Sequence, residues 1–381
     1  MIPYGRQDIS EEDVAEVVAA LTSDFLTQGP RVPAFEAAFC ETVNAKYGVA
    51  VNSATSALHV ACMALELGEG DILWTSPITF VASANVGHWC GADVDFVDID
   101  PDTFNMCPKA LARKLEWAEQ NNCLPKIIIP VHMCGQSCDM QEIGTLARRY
   151  GIAVIEDASH AVGGRFHNQT VGSCAHSDIA VFSFHPVKVI TTAEGGLATT
   201  QSAELADKMR RAASHGVTRD ASLMQGESHG AWYYQQLELG LNYRMTELQA
   251  ALGIGQLKRL DAFVNRRNEH AERYDELLAD LPLKRPGRLP GAYSAFHLYV
   301  VRVGAEKRRA VFDDLRANGV GVNVHYIPVH TQPYWRDRSS VHGPFPAAEQ
   351  YYSEAISLPL YPAMTEAQQD EVVTKLGNAL A

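Results

Sequence analysis

The chain has 381 residues, of which 46% are hydrophobic and 20% charged, with a formal net charge of −13. This composition is normal for a globular protein, and the length favours a large and a smaller domain over one core. The acidic balance without a Lys/Arg run argues against nucleic acid as a partner, and no window reaches the roughly 20 apolar residues that span a membrane.

The first half of the chain alternates between short apolar runs and helical patterns. Residues 10 to 22 begin with Ser10 and predict a capped helix, and a Gly29-Pro30 break precedes a second helix. Strands are predicted at 48–51, 71–75, 93–97, 126–131, 152–155, 178–183 and 196–200, and helices at 55–67, 79–90, 108–120 and 139–149. Repeated strand–helix units mean a mostly parallel sheet with helices on both faces.

The second half predicts a smaller α/β unit. After a helix near 202–214, the aromatic-rich stretch 214–245 is typical of a long ordered loop. An extended helical pattern from Thr246 to about Leu278 then joins the two parts. Further elements are a strand at 297–302, a helix at 305–318, a strand at 321–325 and helices near 347–355 and 366–379. We expect a large domain at 1–255 and a small C-terminal α/β domain at 256–381.

A lysine follows the strand 178–183 in an apolar setting. Lys188 lies between Val187 and Val189, so its amine is expected to be partly desolvated, which lowers a lysine pKa and makes the amine a nucleophile. The alternative is a surface lysine in a loop after a buried strand.

Two other strand ends carry polar groups. Asp157 and His160 follow the strand 152–155. In open α/β sheets, ligands bind at the carboxyl ends of strands, so these residues are candidates for ligand binding. Alternatively, the Asp157 carboxylate caps the next helix. Ser53, Thr55 and Ser56 open the helix after the strand 48–51, where backbone N–H groups hold a phosphate or where the hydroxyls serve as ordinary caps.

Together these groups match pyridoxal 5′-phosphate. That cofactor needs an amine for its covalent link, a carboxylate that keeps its pyridine nitrogen protonated, and a helix start for its phosphate. Phe80 opens the helix after the strand 71–75, at the same edge of the sheet, and is either a core aromatic or a ring that stacks on a planar cofactor.

The eight cysteines are scattered and do not form a disulfide framework. Cys134 and Cys138 lie near His132, but no second pair of metal-ligand spacing follows, so no metal site is predicted. Reduced thiols, and an N-terminus without a secretory signal, predict a cytoplasmic location.

Six motifs resemble one known family, the DegT/DnrJ/StrS sugar aminotransferases of the fold-type I pyridoxal-phosphate-dependent transferases, and the resemblance covers essentially the whole chain. They are LTQGP (26–30), NSATSALH (52–59), IEDASHA (155–161), SFHPVKVITTAEGG (183–196), GLNYRMTELQAALG (240–253) and VNVHYIPVH (322–330). One departure is Ala193, where many relatives have glycine; this matters only if the position needs a positive φ. Dehydratase members carry histidine in place of the lysine, so the presence of Lys188 disfavours dehydration.

The resemblance implies a role for each matching residue. Lys188 would bind the cofactor covalently and act as the catalytic base, and Asp157 would pair with the pyridine nitrogen. The remaining cofactor contacts would be Phe80 on the ring, His160 near its phenolic oxygen, and Thr55, Ser56, Ser183 and the neighbouring subunit's Asn242 on the phosphate. The sugar nucleotide would meet Tyr4, the turn of Leu26, Thr27, Gln28 and Gly29, and the pair His325 and Tyr326.

The resemblance also implies a homodimer with shared active sites, and it implies a specific amino-transfer reaction. L-Glutamate would donate its amino group to C4 of UDP-4-keto-6-deoxy-N-acetyl-β-L-altrosamine. The alternatives are another UDP- or dTDP-linked keto sugar as acceptor, or a non-catalytic regulator that binds the cofactor.

Overall fold

A seven-stranded sheet forms the centre of the protein, which is represented by a computed structural model that describes residues 1–338, 340 and 342–381. The sheet has the order β1-β9-β8-β5-β4-β2-β3, and only β9 runs antiparallel to its neighbours. The strands are β1 (Tyr47–Val51), β2 (Ile72–Thr75), β3 (Asp93–Phe96), β4 (Ile127–Ile129), β5 (Ala153–Asp157), β6 (Arg165–Phe166), β7 (Gln169–Thr170), β8 (Ile179–Ser183), β9 (Gly196–Thr200), β10 (Val217–Thr218), β11 (Gln235–Gln236), β12 (Ala292–Tyr293), β13 (Tyr299–Arg302) and β14 (Ala355–Leu358). The mostly parallel sheet predicted from the alternating pattern is therefore confirmed.

Helices flank the sheet and build most of the C-terminal third. They are α1 (Glu11–Leu21), α2 (Arg31–Val43), α3 (Ala54–Ala64), α4 (Ala82–Trp89), α5 (Pro108–Gln120), α6 (Met140–Tyr150), α7 (Ala203–Ala213), α8 (Glu247–Leu257), α9 (Leu260–Leu277), α10 (Ala305–Ala317), α11 (Pro346–Glu354) and α12 (Glu366–Leu380). The predicted cap of α1 is present, because Ser10 and Asp13 exchange backbone and side-chain hydrogen bonds. No helix in the described part of the chain has the length and apolar character needed to span a bilayer.

Two predictions in the C-terminal half were wrong, and one strand was missed. The helical pattern from Thr246 to Leu278 is two helices, since the chain breaks at Lys258 and Arg259 between α8 and α9. The segment 321–325 is not a strand and makes only an isolated bridge from Asn323 to Ser357. The strand that pairs with β13 is instead β14, which follows α11 directly and was not predicted.

The hydrophobic clusters cross the predicted boundary between domains. Helix α9 places Phe263 against the central sheet, whereas Tyr274 packs in a cluster with β13, β14, α10 and α12. The N-terminal Ile2 belongs to that C-terminal cluster as well. The division at 255/256 stays a prediction.

The sheet brings one set of loops together. Strands β1, β2, β4, β5 and β8 run in the same direction, so their carboxyl ends lie at one edge, and antiparallel β9 begins there with Gly196 paired to Ser183 and Val51. A Cβ atom on Gly196 would lie 2.4 Å from the backbone nitrogen of Ala54, the first residue of α3. Glycine is therefore what lets β9 lie against the start of that helix.

The departure at Ala193 falls on a position with positive φ. Ala193 has φ 66° and is exposed in the loop before β9. A left-handed conformation raises the free energy of the folded state by about 1–2 kcal/mol for a non-glycine residue. Glycine avoids this strain, but its greater freedom in the unfolded chain lowers stability by up to about 1 kcal/mol. We expect Ala193→Gly to stabilise the protein by about 0.5–1 kcal/mol, measured as a higher urea midpoint at an unchanged m-value. A lower midpoint would contradict this assignment of strain.

Candidate active site

A cavity of about 440 Å³ opens at the carboxyl edge of the sheet. It collects residues from the loops after β1, β2, β5 and β8 and from the C-terminal third of the chain. The predicted residues that line it are Tyr4, Thr55, Phe80, Asp157, His160, Ser183, Lys188, His325 and Tyr326. Nine side chains chosen from separate stretches of sequence thus meet in one place.

Lys188 lies in the loop after β8, and hydrogen bonds join the two ends of this loop. The Phe184 carbonyl accepts hydrogen bonds from the Thr192 backbone N–H at 3.0 Å and the Thr191 hydroxyl at 2.9 Å, and the Lys188 N–H bonds to the His185 carbonyl at 2.9 Å. Burial lowers the pKa of Lys188 to about 8, although the negative charge of Asp157 acts in the opposite direction. A pKa of about 8 leaves roughly a tenth of this amine neutral, and hence nucleophilic, at pH 7.

The lowered pKa of Lys188 gives a prediction for the cofactor-free protein. Because only the neutral amine reacts, trace labelling of Lys188 by acetic anhydride should reach half its maximal rate near pH 8, about two units below an ordinary lysine. Peptide mapping across a pH series measures this, with exposed Lys46 as the internal reference. A midpoint above about pH 10 would mean that the amine is fully hydrated.

Asp157 ends β5 beside the lysine loop and is almost fully buried. Its Oδ1 accepts a hydrogen bond from the Ser159 backbone N–H at 3.1 Å, and its Oδ2 accepts one from the Ser83 hydroxyl at 2.7 Å. Neither donor carries a charge. Both carboxylate oxygens are therefore held by hydrogen bonds, and the group lines the cavity.

The start of α3 faces the same cavity. Ser53 caps the helix by accepting a hydrogen bond from the Ser56 N–H at 3.1 Å, and Ser53, Ala54 and Thr55 line the cavity. Ser56 does not line it, because its hydroxyl is buried and donates to Asn52 Oδ1 at 2.6 Å. The first N–H groups of a helix have no partners within the helix, so this end of α3 can hold an anion.

Aromatic side chains cover the other side of the cavity. Phe80 is 59% exposed, and its ring centroid lies 6.3 Å from that of Tyr326. His160 Nε2 lies 3.1 Å from the Tyr326 hydroxyl, and their rings are stacked. An exposed ring at a cavity mouth is available to stack on a planar ligand.

Sequence reasoning missed His297, which also lines the cavity. Its ring centroid lies 4.4 Å from that of His160, and both histidines are buried. Burial is the main cause that holds the pKa of each well below the ordinary histidine value, so both are neutral. No local pattern marks His297, because it precedes β13 and reaches the cavity only through tertiary packing. Glu194 and Asn323 lie within quoted motifs and also line the cavity, and their motif positions were the available signal.

Besides Ser56, five predicted residues lie outside the cavity of the single chain. Leu26 is half exposed, Thr27 forms a bridge with Thr246, and Gln28 has φ 53°. The backbone N–H of Gly29 donates to Glu247 Oε1 at 3.1 Å, and Asn242 is exposed. One chain alone does not bring these residues to the lysine.

The cysteines near His132 are engaged in internal contacts. The backbone N–H of Cys138 donates to His132 Nδ1 at 3.1 Å, its thiol donates to the Val131 carbonyl at 3.2 Å, and His132 Nε2 pairs with Glu156 at 2.7 Å. Within the described ranges, no three His, Cys, Asp or Glu side chains are arranged to hold a metal ion.

The residues present fit pyridoxal phosphate. The cavity is lined by the Lys188 amine, whose pKa is lowered, and by the Asp157 carboxyl group, and two adjacent strands fix their positions. The start of α3 lines the same cavity with Ser53, Ala54 and Thr55 and can hold a phosphate there. His160 Nδ1 is buried with no partner among the described residues, so a polar ligand atom is needed to satisfy it.

Comparisons with known proteins agree with this geometry. The sequence model of the DegT/DnrJ/EryC1/StrS aminotransferase family matches residues 7–377. The spore coat polysaccharide biosynthesis protein SpsC of Bacillus subtilis is 40% identical over 379 residues, which are 98% of this chain and 95% of that protein.

Two solved structures superimpose over nearly the full length. Helicobacter pylori PseC, an aminotransferase involved in the biosynthesis of pseudoaminic acid, has a TM-score of 0.91 at 29% identity, covering 100% of this chain and 99% of its own. The PLP form of the sugar aminotransferase Spr1654 from Streptococcus pneumoniae has a TM-score of 0.89 at 28% identity, covering 99% and 98%. The chain therefore belongs to the DegT/DnrJ/EryC1/StrS aminotransferase family and is a pyridoxal-phosphate-dependent sugar aminotransferase of the fold-type I class.

Proposed function

We propose that this enzyme moves the amino group of L-glutamate to C4 of UDP-4-keto-6-deoxy-N-acetyl-β-L-altrosamine, giving UDP-4-amino-4,6-dideoxy-N-acetyl-β-L-altrosamine. The observation that carries the chemistry is the meeting of the Lys188 amine and the Asp157 carboxylate in one cavity. The choice of acceptor is supported by the full-length similarity to Helicobacter pylori PseC.

Lys188 is the catalytic residue of this proposal. When bound, pyridoxal phosphate supplies an aldehyde that accepts amino groups and a ring that withdraws electrons. Lys188 would hold the cofactor covalently, and its amine, once released by the amino donor, would act as the base that takes the proton from the donor Cα. Its lowered pKa supports this role, because a base near neutral pH must be unprotonated part of the time. The same base serves both half-reactions, which predicts ping-pong kinetics.

Asp157 and its neighbours hold the cofactor. Asp157 would pair with the pyridine nitrogen and keep it protonated, and Phe80 would stack on the ring, a role supported by its exposure at the cavity mouth. His160 would contact the phenolic oxygen, which would give its unpaired Nδ1 a partner. The start of α3, with Thr55, Ser183 and backbone N–H groups, would hold the phosphate. Ser56 contributes by fixing that turn, since its hydroxyl is already bonded to Asn52.

The sugar nucleotide is proposed to bind in the same cavity. Tyr4, His325 and Tyr326 line this cavity and are proposed to contact the sugar. Burial is the main cause that lowers the pKa of His325 to about 4, so this histidine is a neutral hydrogen-bonding group at physiological pH.

A homodimer completes the site in this proposal. Asn242 and the turn from Leu26 to Gly29 would reach the partner's cavity, because neither lines the cavity of its own chain. Support comes from the outer face of α1, where Val14, Val18 and Leu21 are each more than 50% exposed, with Phe25 and Leu26 next to them. Such a contiguous apolar surface is typical of an interface.

A cytoplasmic location is also part of the proposal. It is in keeping with the eight cysteines, which all lie among the described residues and form no disulfide.

The second candidate is amino transfer to a different nucleotide-linked keto sugar. The observation that favours it is the 40% identity to a Bacillus subtilis protein of spore coat polysaccharide biosynthesis, above the 29% identity to PseC. Both candidates use the same lysine and carboxylate and differ only in the acceptor.

A panel of 4-keto and 3-keto sugars linked to UDP or dTDP separates the candidates. Each would be incubated with enzyme, pyridoxal phosphate and L-glutamate, and the position and configuration of the new amine would be determined by NMR. We expect the altrosamine derivative to give the highest kcat/KM and a C4 amine. Faster turnover of another keto sugar would favour the second candidate, and transfer from glutamine but not glutamate would correct the donor.

A further inference from the structure

A chain of buried hydroxyl groups ends on the Asp157 carboxylate. The Ser83 hydroxyl oxygen lies 2.7 Å from Asp157 Oδ2, and the Thr79 hydroxyl oxygen lies 2.8 Å from that of Ser83. All three residues are at most 5% exposed. Ser83 is in the first turn of α4, and Thr79 is in the loop that leads into it.

The direction of these hydrogen bonds follows from the acceptor at their end. Ser83 is the donor to Asp157 Oδ2 and thereby uses its only hydroxyl proton. The Phe80 carbonyl, at 3.4 Å from the Ser83 hydroxyl oxygen, is the poorer acceptor by distance. Ser83 then accepts from Thr79, and the order of donation is Thr79 to Ser83 to Asp157.

These hydrogen bonds fix the orientation of the carboxylate plane. Ser159 already donates to Oδ1, so the bond from Ser83 to Oδ2 prevents rotation about the bond between Cβ and Cγ. A carboxylate has about four lone-pair sites, and two remain free for a group in the cavity. Phe80 lies between Thr79 and Ser83 in sequence, so one short segment supports both the carboxylate and the exposed aromatic ring.

We propose that Ser83 and Thr79 are positioning residues that aim the Asp157 carboxylate at the pyridine nitrogen of the cofactor. The inference rests on the proposed function, specifically on the role of Asp157. Functional groups must be held to within about 0.5 Å by supporting contacts, and at metal sites loss of such contacts costs affinity or activity about 10–100-fold.

Ser83→Ala and Ser83→Cys test the hydrogen bond separately from packing. Cysteine is close to serine in size but donates weakly. We expect both variants to bind pyridoxal phosphate about tenfold more weakly, measured by absorbance titration of cofactor-free protein. The kcat for glutamate should fall by a similar factor, while the KM for glutamate changes less than about threefold, because the donor does not touch Ser83. Thr79→Val should give a smaller loss in the same direction.

Thr75→Val is the matched control. Thr75 is equally buried on β2, but its hydroxyl donates to the Ile129 carbonyl at 2.9 Å and has no contact with Asp157. Cofactor affinity in Ser83→Cys equal to that of the wild type, or losses in Ser83→Ala no larger than in Thr75→Val, would overturn the proposal. If Ser83→Ala does not fold, Ser83→Cys and Thr79→Val decide it. A wild-type protein that binds no pyridoxal phosphate would overturn the proposed function itself.

Discussion

Replacing Lys188 with alanine should abolish amino transfer while leaving the fold intact. Of the described residues that line the cavity, Lys188 is the only one with an amine, so its loss removes both the covalent attachment of the cofactor and the base for proton transfer. General bases alone contribute about 10²–10⁴-fold, and we expect a loss of at least about 10³-fold in kcat for both half-reactions.

One further variant and a chemical rescue distinguish the loss of the nucleophilic amine from the loss of positive charge. Lys188→Arg keeps a cation in the cavity but carries no nucleophilic amine at neutral pH, so it should be as inactive as alanine. An exogenous primary amine such as methylamine should restore part of the activity of Lys188→Ala, because it can take over the proton transfer. Circular dichroism and the urea midpoint report on the fold. Wild-type turnover in Lys188→Ala would rule out this lysine and the proposed chemistry with it.

Asp157→Asn should lose about 10²–10³-fold in kcat while retaining most of the shape of the site. The substitution removes one negative charge, but its side-chain oxygen can still accept the hydrogen bond from Ser83. Without that charge the pyridine nitrogen of the bound cofactor is no longer held protonated, and its capacity to withdraw electrons falls. The KM for glutamate should change much less than kcat, because the donor does not contact this carboxylate.

Glu156 offers a matched control on the same strand. Its side chain lies on the opposite face of the sheet, where it pairs with His132 at 2.7 Å and also accepts a hydrogen bond from Ser177. Glu156→Gln should therefore lower the free energy of unfolding but keep kcat within a few-fold of the wild type. Equal losses of kcat in Asp157→Asn and Glu156→Gln would indicate a general electrostatic effect of the strand.

Local sequence determined the central sheet and the reactive groups at its edge. Runs such as Ile152 to Ile155 are apolar because parallel strands are buried on both faces, and this pattern can be read without tertiary information. Since parallel strands end at a common edge, the polar residues that follow them had to converge. Lys188, Asp157 and Thr55 were therefore predictable from separate stretches of sequence.

The elements that were wrong lie where pairing between distant segments decides the structure. The strand β14 has only four residues and exists because it pairs with β13, more than 50 positions earlier in the chain. The break between α8 and α9 has no proline or glycine at Lys258 or Arg259, so no local signal marked it.

Tertiary structure alone decided how the reactive groups are supported. The contact of His160 with Tyr326 spans 166 positions and that of Ser83 with Asp157 spans 74, and neither pair leaves a periodic signal in the sequence. The lowered pKa of Lys188 was expected from its apolar neighbours, but its extent depends on burial by the whole cavity. Sequence thus determined which chemical groups are present at the edge of the sheet, because strand periodicity is local. Packing decided their orientation and charge, because desolvation and hydrogen bonding depend on residues that are distant in the chain.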